Sequence, residues 1–141
     1  MAISFHPNPG AILLCAYEPG FKEPEMVKTR PVVVITPRLR NRSGLCTVVP
    51  LSGTDPLPVE NYHHKISFER PLPKPWGSPM YWAKADMFAT VAFHRLHLIG
   101  LGKDQYGKRK YLNVSISAEE LTNIQACVLH ALNLSHLTNH L

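Results

Sequence analysis

Apolar residues in this chain fall into short runs bounded by proline, glycine or charge, and only one stretch repeats them at helical spacing. The densest run is Val32-Val33-Val34-Ile35, four β-branched residues in succession. A continuous run without polar alternation predicts a strand buried on both faces. Pro31 opens it, where a missing N–H is tolerated, and Thr36-Pro37 closes it. Leu45 to Ser52 is a second apolar run, separated from the first by the basic turn Arg38 to Gly44, so the two predict a hairpin. Ala11 to Tyr17 reads as an earlier strand. Tyr62 to Phe68 is polar enough for an edge strand. Met80 to Asp86 reads as another strand, with Met87 to Phe93 continuing it or pairing beside it. Tyr111 to Val114 reads as a last short strand, preceded by a glycine-bearing basic loop, Lys103 to Lys110.

The helical stretch carries Leu121, Ile124, Val128 and Leu132 on one stripe. Ser117 is its N-cap and Glu120 completes a capping box, with Glu119 favourable to the dipole. The helix should end near Asn133, and the polar tail from Ser135 should fray. Many short antiparallel strands followed by one helix predict a mainly-β fold: a small barrel or strongly curved sheet with the C-terminal helix packed on it.

Composition narrows this picture. The 141 residues fit a single domain spanning 1–141, and 45% hydrophobic against 18% charged residues excludes a disordered chain. Thirteen prolines argue against a helical bundle. The net charge of +5 suits a polyanionic partner. Cys15, Cys46 and Cys127 lack C-x-x-C spacing, which predicts buried free thiols in a reducing compartment rather than a disulfide scaffold or zinc site. No basic leader and no apolar run long enough for a bilayer is visible, so a cytoplasmic protein is expected.

Motif chemistry is sparse. His63-His64 and the pair His94/His97 lack the company of a metal site, and no phosphate loop, dinucleotide fingerprint or G-x-S-x-G occurs. No metal or cofactor is expected. What remains are charges at strand ends: Glu25, Arg30, Lys84 and Asp86. Glu25 and Arg30 sit in a loop feeding a rigid apolar strand, which is how many active sites are mounted. The same two residues also fit an exposed ion pair worth about 0–1 kcal/mol.

Gly10-Ala11-Ile12, Glu25 to Val34 with its Arg-Pro-valine run, Val48-Val49-Pro50-Leu51-Ser52, and Trp82 to Asp86 followed by Arg95-Leu96 occur in an order that resembles the MazF/PemK family of toxins. The resemblance spans Gly10 to the C-terminal helix. It implies an SH3-like small barrel, a homodimer, and a toxin endoribonuclease of a type II toxin–antitoxin system cutting single-stranded RNA without metal. By position it implies Glu25 as general base, Arg30 as general acid or phosphate stabiliser, Ser52 as the hydroxyl near the scissile phosphate, and Lys84 with Asp86 as an acid–base pair. Two positions depart from the family. Ala11 stands where an Asp is common, and Lys84 replaces an Arg, keeping charge but losing the planar fork that grips phosphate.

The chemistry is consistent with that assignment. RNA carries its own nucleophile, the 2′-OH. The protein needs a base for it, cations for the phosphorane and an acid for the leaving 5′ oxygen. Glu25 or Asp86 can be the base. The products would be a 2′,3′-cyclic phosphate and a 5′-OH. Basic loops carrying Arg38, Arg40, Arg42, His64, Lys65, Lys74 and Trp76 are expected to flank the cleft and hold RNA. Tyr62, Phe21 and Trp76 can stack bases or anchor their loops on the barrel rim. An antitoxin with an acidic disordered segment is the expected protein partner, and no membrane partner is expected. The alternative is an inactive protein on the same fold that binds RNA or an antitoxin. A gyrase-poisoning toxin of the CcdB type is disfavoured, because the chain ends Thr138-Asn139-His140-Leu141 rather than Trp-Gly-Ile.

Overall fold

The structure, a computed structural model, describes residues 2–141. Nine strands and one α-helix follow in order: β1 (Ile12–Cys15), β2 (Arg30–Val34), β3 (Leu45–Ser52), β4 (His63–Ser67), β5 (Met80–Lys84), β6 (Ala89–Ala92), β7 (Leu96–His97), β8 (Ile99–Lys103), β9 (Arg109–Leu112) and α1 (Ala118–Ala131). Seven strands form one antiparallel sheet in the order β4-β5-β3-β2-β1-β7, with β6 also on β3. The ladders among the described residues form an open path, not a closed ring. The mainly-β architecture with one C-terminal helix is the one expected. Strand β3 is its spine. Val48 faces Val34 of β2 on one edge and Ala89 of β6 on the other, and the end of β3 pairs with β5.

The valine run behaves as its lack of alternation requires. Val32, Val33 and Val34 are each 0% exposed, because the sheet is covered on both faces. Val33 joins Ile12, Val49, Leu51, Ile66, Ala83 and the helix residues Ile124 and Cys127 on the face under α1. Val32 and Val34 join Leu13, Cys15, Tyr17, Cys46, Val48, Val91 and Leu96 on the opposite face. The three thiols are free and buried, and burial pushes each up to about 11.

Helix α1 starts as expected: the Ser117 side chain accepts from Glu120 N at 3.1 Å. The reciprocal half of the capping box is diverted. The Glu120 carboxylate meets His64 Nε2 instead, tying α1 to β4.

Three expectations need correction. Met87 to Phe93 does not continue β5. A 3₁₀ turn at Ala85–Met87 turns the chain, and β6 then pairs with β3. The basic stretch Lys103 to Lys110 is a loop over 104–108 only; its ends, Lys103, Arg109 and Lys110, belong to a separate two-stranded ribbon, β8–β9. The tail is not irregular. Ser135–His140 forms a 3₁₀ turn in which Thr138 Oγ1 donates to Ser135 O at 2.7 Å.

Candidate active site

Antiparallel pairing assembles the first part of the site from five strands, β1 to β5. Arg30 opens β2 opposite Cys15 of β1. Continuing the β2–β3 register by two residues aligns Arg30 with Ser52. Ser52 pairs with Trp82 of β5, and Trp82 with Lys65 of β4. Residues directly opposite one another share a face of a sheet. Cys15, Arg30, Ser52, Trp82 and Lys65 therefore form one transverse row, on the face away from α1. Lys84 lies two residues beyond Trp82, so it shares that face and pairs with His63. It is half-buried at the strand end.

Loops supply the carboxylates. The β1–β2 connection carries Glu25, and the 3₁₀ turn after β5 carries Asp86, both exposed. They line a common cleft of about 270 Å³ with Tyr17, Phe21, Met26 and Phe88. This is small beside the roughly 300–1,000 Å³ of enclosed ligand sites, as suits a cleft open to a long polymer. The turn at Glu25 closes on itself: Glu25 N donates to Lys22 O at 2.8 Å, and Oε1 accepts from Lys22 N at 3.1 Å. Arg95 holds the start of the same loop. Its Nη1 donates to Ala16 O at 3.1 Å and Tyr17 O at 2.7 Å, and its guanidinium lies 4.9 Å from the Phe21 ring centroid. Phe21 in turn meets Tyr17 edge to face, with centroids 5.0 Å apart.

Two polar atoms here are unpaid debts of folding. Arg30 Nε and the Tyr17 hydroxyl are buried with no hydrogen-bond partner, and a buried unsatisfied donor costs about 1–3 kcal/mol. Burial drives the Tyr17 phenol well above its ordinary range; the neighbouring Cys15 thiol adds to this, and Arg30 opposes it. Arg30 is not neutralised by Glu25, because the ion pair found among the described residues is His64–Glu120. Ser52, 6% exposed, accepts from Thr54 N at 3.2 Å and keeps its own O–H free to donate. The arrangement thus offers an unpaired guanidinium, a hydroxyl and an ammonium on one face, with two carboxylates in the adjoining cleft. No group of three or more His, Cys, Asp or Glu is placed to hold a metal ion among the described residues.

The RNA-holding candidates separate. Lys65 lies in the row with Arg30, its ammonium 5.9 Å from the Trp82 ring. His64, one residue earlier, points to the opposite face, where Glu120 meets it. Trp76 packs against the helix-side core and its carbonyl accepts from Tyr81 Oη at 2.9 Å, while Lys74 is exposed on the same loop. Arg38, Arg40 and Arg42 are exposed in the β2–β3 turn, at the end of the hairpin remote from Arg30 and Ser52. The residues passed over in the sequence are Tyr17 and Trp82 as lining groups and Arg95 as a clamp. Period-two alternation from Leu13 through Cys15 carried the signal for Tyr17. Arg95 carries part of the family resemblance, but nothing local in the sequence marked its role as a clamp.

A family model described as PemK-like, MazF-like toxin of type II toxin-antitoxin system matches residues 8–132. YifN of Escherichia coli (strain K12) is 30% identical over 164 residues, covering 99% of this chain and 100% of that protein. An uncharacterized protein of Haemophilus influenzae is 31% identical, covering 97% and 98%. Among solved structures, a mycobacterial endoribonuclease in complex with its cognate antitoxin superposes with a TM-score of 0.60 at 18% identity, covering 92% of this chain and 97% of that one. MazF from Deinococcus radiodurans gives 0.59 at 16% identity, covering 92% and 99%. At such identities these two establish the shared fold.

Proposed function

The chain belongs to the PemK-like, MazF-like family of type II toxin–antitoxin toxins, and on that premise we propose that it is a toxin endoribonuclease that cuts single-stranded RNA without metal. The observation that carries the reading is Arg30: a cation on the face shared with Ser52, without an ion-pair partner among the described residues and with its Nε buried and unpartnered. Buried donors without acceptors call for an explanation; the Arg30 side chain as a whole is only half-buried, so its charge stays open to a phosphate.

In the proposed reaction Glu25 or Asp86 takes the proton of a ribose 2′-OH, and the 2′ oxygen bonds to phosphorus. Arg30, aided by Lys84 and the Ser52 hydroxyl, stabilises the charge that accumulates on the phosphorane. The bond from phosphorus to the 5′ oxygen breaks, and that oxygen takes a proton from Arg30 where Glu25 is the base, or from Lys84 where Asp86 is. The ends are a 2′,3′-cyclic phosphate and a 5′-OH. The cognate partner is an antitoxin whose acidic disordered segment competes for the same cations, and the working unit is a homodimer.

The test is cleavage of a long RNA by purified protein in EDTA, with the ends mapped. Cleavage should persist in chelator and stop in Glu25→Ala and Arg30→Ala. Loss of activity in EDTA, or full activity in both variants, sinks the mechanism. One observation favours a second reading, an RNA-binding protein that does not cut: Glu25 Oε1 is already committed to Lys22 N. Tight binding of RNA that stays intact on long incubation selects that reading.

A further inference from the structure

The β8–β9 ribbon has no place in the chemistry above, yet its construction is specific. Strand β7 runs down β1 from Cys15 towards Ile12, and the chain continues past that end of the sheet as β8. The return strand rejoins at the same end, where Ile12 N donates to Val114 O at 3.0 Å. The ribbon therefore projects from the end of the sheet where Val34 leads into the β2–β3 turn, opposite to the Arg30 end. Arg38, Arg40 and Arg42 in that turn, with Lys103, Lys108, Arg109 and Lys110 in the ribbon, set seven cations against one carboxylate, Asp104.

That carboxylate is not placed to neutralise them. Asp104 Oδ1 accepts from Tyr106 N and Lys108 N, both at 2.9 Å, so it shapes the tip. The tip presents Tyr106, 84% exposed. Below it Lys103 and Arg109 stand directly opposite each other across the ladder. Like charges in that position are destabilising, and neither is ion-paired among the described residues. Gly100 and Gly102 have nothing within 4 Å of where a Cβ would project, so no part of the fold covers this stretch. A ribbon that keeps facing cations and an exposed aromatic violates local stability rules, and such violations concentrate at functional surfaces.

We propose that the β8–β9 ribbon is an arm that grips single-stranded RNA away from the cleavage site, its cations on phosphates and Tyr106 stacked on a base. A narrow two-stranded ribbon can follow a nucleic acid groove or strand, and base–aromatic stacking tolerates any sequence. The inference takes its choice of RNA from the proposed function but needs no cleavage.

The experiment uses the full-length protein and a 2′-O-methyl oligouridylate, which cannot be cut, with fluorescence anisotropy read across a salt series. Replacing Lys103, Lys108, Arg109 and Lys110 together by Gln should make the slope of log K against log salt shallower by about 2–3, from roughly 0.7 per phosphate contact on a single strand. Tyr106→Ala alters no charge and should weaken binding roughly five- to a hundredfold. Should the fourfold variant not fold, Tyr106→Ala and Lys110→Gln alone carry the test. Wild-type affinity and slope in the variants overturn the proposal. So does retained RNA binding with lost binding to a polyglutamate peptide, which makes the ribbon a protein-docking arm. Failure of the wild type to cut ordinary RNA would overturn the nuclease reading and leave these binding curves interpretable.

Discussion

Arg30→Met separates a catalytic cation from a scaffolding one. A structural arginine repays its burial with hydrogen bonds to carbonyls or an ion pair, as Arg95 does with Ala16 O and Tyr17 O. Arg30 has neither, and its buried Nε is unpartnered. Methionine keeps a flexible stem of similar length and removes the orphaned donor. Leaving such a donor buried costs about 1–3 kcal/mol, so the variant's unfolding free energy should be unchanged or raised by about 1 kcal/mol. The cleavage rate should fall on the order of 10²–10³-fold, the usual consequence of removing one donor aimed at developing oxyanion charge. Arg30→Lys should recover part of that rate, since charge returns without the fork. Urea denaturation gives the first quantity, and single-turnover cleavage of a fluorogenic RNA in EDTA gives the second. A methionine variant that loses 2 kcal/mol or more and still cuts at the wild-type rate would refute the reasoning and make Arg30 part of the scaffold.

Glu25→Gln and Asp86→Asn distinguish the two candidate bases: removing the true base abolishes the acidic limb of the pH profile of kcat/KM, while the other variant retains it. Arg95→Leu removes both carbonyl contacts and the Phe21 contact, so urea unfolding should show a loss of about 2–3 kcal/mol and cleavage should slow as the Glu25 loop loosens. Leu51→Ala, at 1% exposure in the helix-side core, should cost about 2–5 kcal/mol by the same measurement without changing the cleavage ends. The thiols stay protonated in the fold, raised from 9.0 to about 11, so the unfolded chain holds fewer protons than the native one between those values. Stability should therefore be full below pH 9 and fall as pH rises towards 11, by on the order of 1 kcal/mol per thiol per unit; a denaturation midpoint equal at pH 8 and pH 10 contradicts that.

The sequence revealed most where one physical signal dominated. Unbroken β-branched character placed Val32 to Val34 in a doubly covered strand, and Leu45 to Ser52 matched its strand at both ends, because apolar runs bounded by breakers leave little choice. Ser117 and Glu120 marked the helix start for a reason local to one turn. The reading failed where local and tertiary signals competed. Met87 to Phe93 has strand character, but which strand it joins depends on the 3₁₀ turn at Ala85–Met87, which sequence spacing does not encode. Lys103 to Lys110 reads as a loop because its lysines and Gly107 lower strand propensity; 104–108 is one, and the ladder from Ile99 to Leu112 takes in only its ends, Lys103, Arg109 and Lys110.

The candidate site was legible as a set of residue types and not as a surface. Period two decides which neighbours share a face, yet only register decides which strands meet, and register couples residues dozens of positions apart. Hence His64 and Lys65, adjacent in sequence and read as one basic patch, part company: Lys65 joins the row of Arg30 and Ser52, and His64 goes to Glu120 under the helix. The family departures take on physical meaning in the same way. Ala11 is held by its backbone, with its N–H on Asn8 O at 3.1 Å and its carbonyl taking Val34 N at 3.0 Å, and its side chain packs against the core face away from α1, so that edge is fixed without an Asp side chain. Lys84 brings a point charge to the face of Arg30 without a planar fork. With that fork missing at position 84, the proposed reaction assigns bidentate contact with the scissile phosphate to Arg30, the guanidinium on this face.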